Sequence, residues 1–265
     1  MKKITSILSI IVLSIVLLSA CSSDANNNVL KVGASPVPHG ELLNLVKEDL
    51  KDQGIELEII EFTDYVKPNL ALDEDEIDAN FFQHKPYLDN FSNEHDLNLV
   101  SVGKIHVEPL GVYSEKFNSI DELKEGSVIA IPNDPTNGGR ALILLENEGL
   151  IKLEEGAGLN ATEKDIIKNP KNLEFKPLES AQLPRALGDV DASVINGNYA
   201  LEADLIPTDD AILLEGSESP YANIIAVHKS NENNKKVQAL IDALQSEKVK
   251  NYILENYNGG VVPAF

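Results

Sequence analysis

The 265-residue chain contains no tryptophan and one cysteine, Cys21. A lone cysteine has no partner within the chain, so an internal disulfide framework is excluded. Basic residues are scarce: 22 Lys and Arg stand against 43 Asp and Glu, for a formal net charge of −21. Nucleic-acid binding needs clustered Lys and Arg against phosphates, and a polybasic membrane patch needs the same against anionic lipid. The composition argues against both. Acidity favours solubility but names no ligand. After Cys21 no apolar run reaches the roughly 20 residues that a spanning helix requires. Catalytic signatures are also missing, since neither Gly-x-Ser-x-Gly nor His-Glu-x-x-His occurs. The five histidines, at 39, 84, 95, 106 and 228, lack the spacing of zinc ligands. The acidic run 73–76 lacks the Asp/Asn/Gly order of an EF-hand. No enzyme activity, metal or cofactor is expected.

What is present begins at the N-terminus. Lys2 and Lys3 precede a segment, 4–18, that is apolar apart from Thr5, Ser6, Ser9 and Ser14. Small residues then lead to Cys21, the layout of a secretory signal with a cleavage site. The tetrapeptide Leu18-Ser19-Ala20-Cys21 resembles a bacterial lipoprotein signal, in which the cysteine is lipidated after cleavage. The expectation is a signal peptide over 1–20, followed by a lipidated Cys21 and a flexible polar tether to residue 28. Cleavage leaves a mature chain of 245 residues with a formal charge of −23. Two or more acyl chains anchor firmly where one is marginal.

From Val29 onward strand and helix signals alternate. Strands are expected at 29–34, 55–62 and 79–82, with a helix between the first two. That helix has Leu42, Leu43, Leu45, Val46 and Leu50 on one face and Gly54 as its stop. Asp64 is expected to cap a second helix that ends in the acidic run 73–76. The rhythm repeats with strands at 109–113, 127–131, 173–175, 192–195, 211–214 and 224–227. Helices are expected over 140–150, from Thr162 to before Pro170, and through 235–257. Strand–helix alternation argues for parallel sheets. Two βα blocks of similar size suggest two α/β lobes, with 107–112 and 222–227 crossing between them. Lobe 1 is expected over 29–108 plus 226–265, and lobe 2 over 109–225. In such folds the ligand sits beyond the C-terminal ends of strands, between the lobes.

Polar and aromatic residues cluster where strands end. Tyr65 stands beside the capping Asp64. In 80–88 alternation places Phe81 and Phe82 on opposite faces, one in the core and one free; His84 and Tyr87 follow. A lone histidine is more often a satisfied hydrogen-bonder than a ligand contact. In 132–142 a Pro/Asn/Gly loop is expected to open a helix at Arg140, where free N–H groups and the helix dipole attract anions. Arginine adds a bidentate fork for a carboxylate. The glycine spacing is not that of a P-loop. Asn196 and Asn198 flank a glycine after a strand, and Asn223 lies at the mouth of a crossing strand. Amides can donate to a carboxylate and accept from an ammonium, although plain turns also use these residues.

Taken together, VGASPVPHGELL, FTDYVKPNLAL, DANFFQHKPYL, IHVEPLGVYS, IPNDPTNGGRALILLE, INGNYA, SPYANIIAV and YNGG, in this order, resemble the NlpA family. Its best-known members are methionine-binding lipoproteins of ABC importers. The resemblance implies a two-lobed, type II periplasmic-binding-protein fold closing on one ligand. It implies that Arg140 grips the carboxylate of methionine, helped by Asn198 and Asn223. Tyr65, Phe82 and His84 would line the thioether pocket, with Tyr87 and Asn196 nearby. Sulfur is favourable against aromatic edges by ~0.3–1.5 kcal/mol per contact. The implied partners are an ABC permease with its ATPase, met by a lipid-anchored monomer on the outer face of the cytoplasmic membrane. D-methionine or a dipeptide such as Gly-Met remains an alternative ligand. The pair Gly138-Gly139 is expected to give the loop before Arg140 extra freedom.

Overall fold

The computed structural model describes residues 28–216 and 220–265. The expected signal segment, Cys21 and the tether up to residue 27 lie outside the described residues. Strand β1 (Val29–Ala34) leads into α1 (Glu41–Lys51), β2 (Glu56–Glu61), α2 (Lys67–Asp73), β3 (Ala79–His84), α3 (Lys85–His95) and β4 (Leu99–Val107). Residues 108–110 then carry the chain into a second sheet. There follow β5 (Gly111–Tyr113), β6 (Val128–Pro132), α4 (Pro135–Asn147), β7 (Lys152–Leu153), β8 (Ile166–Lys168) and β9 (Glu174–Leu178). Next come β10 (Ala192–Ile195), α5 (Gly197–Glu202), α6 (Pro207–Asp210) and β11 (Leu213–Leu214). The chain returns to the first sheet as β12 (Ala222–His228) and ends in α7 (Lys235–Leu244), α8 (Glu247–Asn256) and β13 (Val262–Pro263).

The two sheets share one plan. The first has the order β2-β1-β3-β12-β4-β13 and the second β9-β6-β10-β5-β11. In the first, β1 runs parallel to β2 and β3, and β12 runs antiparallel to β3. In the second, β6 runs parallel to β9 and β10, and β5 runs antiparallel to β10. In each sheet the strand that has just crossed from the other sheet, β12 or β5, is antiparallel to its central neighbour; the last strand, β13, is also antiparallel to β4. The repeat is topological, with no repeat in sequence.

Each lobe has its own core. Leu42, Leu43, Val46 and Leu50 of α1 are fully buried against β1, β3 and the α7 residues Val237, Leu240, Ile241 and Leu244. Their spacing gives each helix one apolar stripe. Full burial of such side chains contributes about 1.5–3 kcal/mol each. Helix α1 stops as expected. Gly54 takes φ +78°, its N–H bonds to Lys51 O, and Ile55 N–H reaches back to Leu50 O. This is a Schellman stop, which favours glycine at that position. The second core gathers Ile129, Ile131, Leu142, Leu145 and Val194.

Several elements differ from the sequence expectation. The segment from Thr162 forms a single 3₁₀ turn, Glu163–Asp165, although the Thr162/Asp165 capping box is present, and β8 follows. No side chain of that turn is buried, so no packed face supports a longer helix. The expected helix 235–257 is two helices, because Ser246 breaks the run and its Oγ accepts from Val249 N–H at 3.4 Å. Strand β4 and helix α3 carried no clear expectation. Pro86 reads as a breaker, but it lies in the first turn of α3, where a missing N–H costs nothing.

Candidate functional site

Tyr65, Phe82, His84, Tyr87, Arg140, Asn196, Asn198 and Asn223 all line one cavity between the lobes. Tyr65 follows β2, Phe82 and His84 end β3, and Tyr87 opens α3. From the other lobe Arg140 comes from α4, while Asn196 and Asn198 come from the start of α5. Asn223 lies near the start of β12. Gln83, Glu108, Asn137 and Gly197 complete the lining. The cavity is tight: about 20 Å³ is open to the centre of a water molecule, room for a water or two.

Part of the lining is aromatic. Phe81 joins the core of its lobe, while Phe82 faces Tyr65 and Tyr87, with ring centroids 5.9 and 6.1 Å away. Tyr65 also meets Tyr199 from the other lobe at 5.0 Å. Burial pushes the Tyr65 phenol well above its ordinary pKa, so it stays neutral and donates to Asn198 Oδ1 across the cleft. The Tyr87 hydroxyl donates to Tyr65 O at 2.9 Å. Asp64 is the expected cap of α2; the helix instead begins at Lys67 with Val66 in the N-cap position, and Asp64 Oδ1 accepts from the Val66 and Lys67 N–H groups at 2.9 and 2.8 Å in the turn before it. This fixes the turn that carries Tyr65.

His84 shows how one side chain serves two purposes. Its Nδ1 accepts the Tyr87 N–H at 3.1 Å and so caps α3. The remaining proton therefore sits on Nε2, which donates to Asn137 Oδ1 in the other lobe at 3.1 Å. Burial and nearby Arg140 lower its pKa to about 3, which keeps the ring neutral. Asn137 is oriented in turn, since its amide nitrogen faces Asp134 and its oxygen also accepts from Asn196 Nδ2 at 2.8 Å. Asn196 Oδ1 is left buried without a hydrogen-bond partner.

Sequence reading missed Glu108, as it missed Gln83, Asn137 and Gly197. Glu108 lies on the first crossing segment and is 5 % exposed. His106 Nε2 donates to its Oε1 at 2.7 Å, and His39 Nε2 and Asn223 Nδ2 approach the same oxygen at 3.3 Å. Burial alone would raise its pKa. His39, His106 and the Asn198 backbone N–H outweigh burial and hold the carboxyl below the usual range. His39 Nδ1 contacts Ser35 Oγ at 2.9 Å, and burial lowers this histidine to about 4. The ligating atoms of His39, His106 and Glu108 lie within 4.8 Å of one another, but the 2.7 Å contact is a hydrogen-bond spacing. His106 and Glu108 share the strand period of two, whereas His39 is brought to them only by the fold.

Arg140 differs from the expected helix-entry position. Helix α4 starts at Pro135 with Asp134 as its cap, whose Oδ1 accepts from Asn137 N–H at 2.9 Å. Arg140 therefore projects from the second turn, and the glycine pair is helical rather than a flexible loop. A Cβ on Gly138 would lie 2.9 Å from Pro132 O, and one on Gly139 would strike Leu159 O. The glycines let α4 press against the chain at both points. The Arg140 guanidinium is buried. It donates from Nη2 to Glu108 O at 2.9 Å, from Nε to Glu215 Oε1 at 3.0 Å, and from Nη2 to Glu215 Oε2. The Tyr221 ring lies 4.3 Å from its central carbon.

Residues 30–265 match the NlpA lipoprotein family. The chain belongs to that family. It is 45% identical over 246 residues to the membrane lipoprotein TpN32 of Treponema pallidum, covering 92% of this chain and 91% of that one. It is 44% identical over 249 residues to the D-methionine-binding lipoprotein MetQ of Salmonella typhimurium, covering 92% of each. A nutrient binding protein from Burkholderia cenocepacia, solved bound to methionine, superposes with a TM-score of 0.87 at 48% identity. That match covers 89% of this chain and all of the other. The two-lobed substrate-binding fold expected from the NlpA resemblance is the fold found. No helix among the described residues is long and apolar enough to cross a membrane.

Proposed function

We infer that this NlpA lipoprotein is the substrate-binding component of an ABC uptake transporter and that its ligand is methionine. The observation that carries the reading is the cavity, where residues from Tyr65 to Asn223 in sequence converge and bring the aromatic group Tyr65, Phe82 and Tyr87 together with Arg140. Methionine has the matching chemistry. Its thioether suits the edges of Tyr65, Phe82 and Tyr87, with His84 packed edge-on to Tyr87. Its carboxylate needs a charged, hydrogen-bonded partner once buried, which Arg140 supplies with Asn198 and Asn223 beside it. Its ammonium finds the ionised Glu108 and the unpartnered Asn196 Oδ1, whose desolvation otherwise costs about 1–3 kcal/mol. D-methionine and a dipeptide such as Gly-Met are the alternatives. The name of the Salmonella relative favours the first.

The division expected from the sequence, 29–108 plus 226–265 and 109–225, needs one change. Sheet membership changes between Val107 and Gly111, which supports the first boundary, and changes back between Leu214 and Ala222, so residues 222–225, part of β12, go with lobe 1. Ligand binding shifts the population toward the closed lobes, which a permease and its ATPase then read. A monomer held by lipid at Cys21 on the outer face of the cytoplasmic membrane fits that task, and no step in it is catalytic. Titration calorimetry of the soluble body, unfolded and refolded to strip bound amino acid, is expected to show saturable heat with L- or D-methionine. No heat at millimolar concentration with either isomer or with Gly-Met overturns the reading.

A further inference from the structure

We propose that Glu215 is a positioning residue that aims Arg140 at the ligand carboxylate and ties that contact to both interlobe connections. The proposal rests on the methionine-receptor reading. Glu215 follows β11 on the second crossing segment. Its carboxylate takes the Nε and Nη2 edge of the Arg140 guanidinium, and Oε2 also accepts from Leu110 N–H at 3.2 Å on the first crossing segment. Arg140 Nη2 closes the ring by donating to Glu108 O on that same segment. The two crossing segments are thus joined through one ion pair, with the Arg140 side chain buried at 4 % exposed and that of Glu215 partly so at 16 %.

Guanidinium geometry gives this arrangement its consequence. The group is planar and presents five N–H donors in a fixed fork. With one edge held by Glu215, Nη1 is the nitrogen that donates to no side chain or carbonyl among the described residues, and Arg140 lines the cavity. Tyr221 against the guanidinium fixes the tilt of the plane. A fork held this way meets an incoming carboxylate without first losing rotamer freedom, which strengthens binding by preorganisation. Without the Glu215 charge, the Nε and Nη2 donors are left underpartnered and the guanidinium turns to satisfy them. The loss then falls on ligands that use Arg140. Ligands without a carboxylate are spared.

The test compares L-methionine with L-methioninamide, which has no carboxylate, by calorimetry on wild type, Glu215→Gln, Arg140→Ala and the double variant. Glutamine keeps the shape of Glu215 and one acceptor, so the fold is preserved, and thermal unfolding checks this. Glu215→Gln is expected to weaken methionine binding by about tenfold or more while methioninamide changes by less than about threefold. The double variant should bind methionine no worse than Arg140→Ala alone, because Glu215 acts through Arg140. Equal losses for both ligands, or tighter methionine binding in Glu215→Gln, overturn the positioning role while the receptor reading stands. Wild-type protein that binds neither ligand overturns the receptor reading and this proposal with it.

Discussion

Phe82 and Phe81 are neighbours in sequence and chemically identical, yet strand alternation sends them to different places. Phe81 is core and Phe82 faces the cavity. Phe82→Ala is therefore expected to weaken methionine binding by at least about tenfold while leaving any alanine binding unchanged, as competition calorimetry would show. Equal loss for both ligands would mean that Phe82 only supports the fold. The buried histidines give a second residue-scale expectation. His39 and His84 have folded pKa values near 4 and 3, against an ordinary value of 6.5. Below about pH 6.5 the unfolded chain binds protons that the folded chain refuses, so stability falls as pH falls, by up to about 1.4 kcal/mol per pH unit for each ring. Glu108, with its carboxyl held low beside His39 and His106, adds to the loss at more acid pH. Asp134 and Glu202, both raised by burial, offset part of it. Denaturant midpoints measured from pH 7 to pH 5 should decline, and a flat profile would contradict this account of the two rings.

At the scale of elements, α4 is the one to test. Gly139→Ala is expected to destabilise the protein by about 1–3 kcal/mol, since the added methyl must displace the Leu159 backbone. Urea unfolding of the variant measures it, and an unchanged midpoint would mean that the chain near Leu159 yields freely. Helix propensity alone says the reverse, because alanine is the better helix former. That contrast explains what was legible in sequence. Val29–Ala34, the amphipathic α1 and the Gly54 stop were readable because local pattern and tertiary packing agree there. The start of α4 was not, since two glycines look like a loop until the crowding around them is known. Strand β4 carries Gly103 and Lys104 within it, and its strand state is set by its antiparallel pairing with β12 and β13.

For the whole molecule, tethering and closure belong together. A receptor held at the membrane meets its permease at a raised effective concentration. Cys21→Ala is expected to move the protein from the membrane fraction to the soluble fraction, with methionine affinity unchanged in the isolated body. Retention in the membrane fraction would contradict the lipid anchor. Closure draws on contacts between lobes, such as His84 to Asn137 and the Tyr199 hydroxyl to Thr63 O at 3.2 Å. By itself the sequence determined the likeness to a lipoprotein signal, the alternation that makes two α/β lobes, and the polar and aromatic residue types that gather at the cavity. All of these are local patterns or ordered motifs. Tertiary structure alone decided that Glu108 sits between His39 and His106, that Asn137 links the lobes, and that Glu215 occupies an edge of Arg140. Apart from His106 and Glu108, which are neighbours at the end of one strand, those pairings join residues 53 to 75 positions apart, and only crossing strands and closed lobes bring such residues within hydrogen-bond reach.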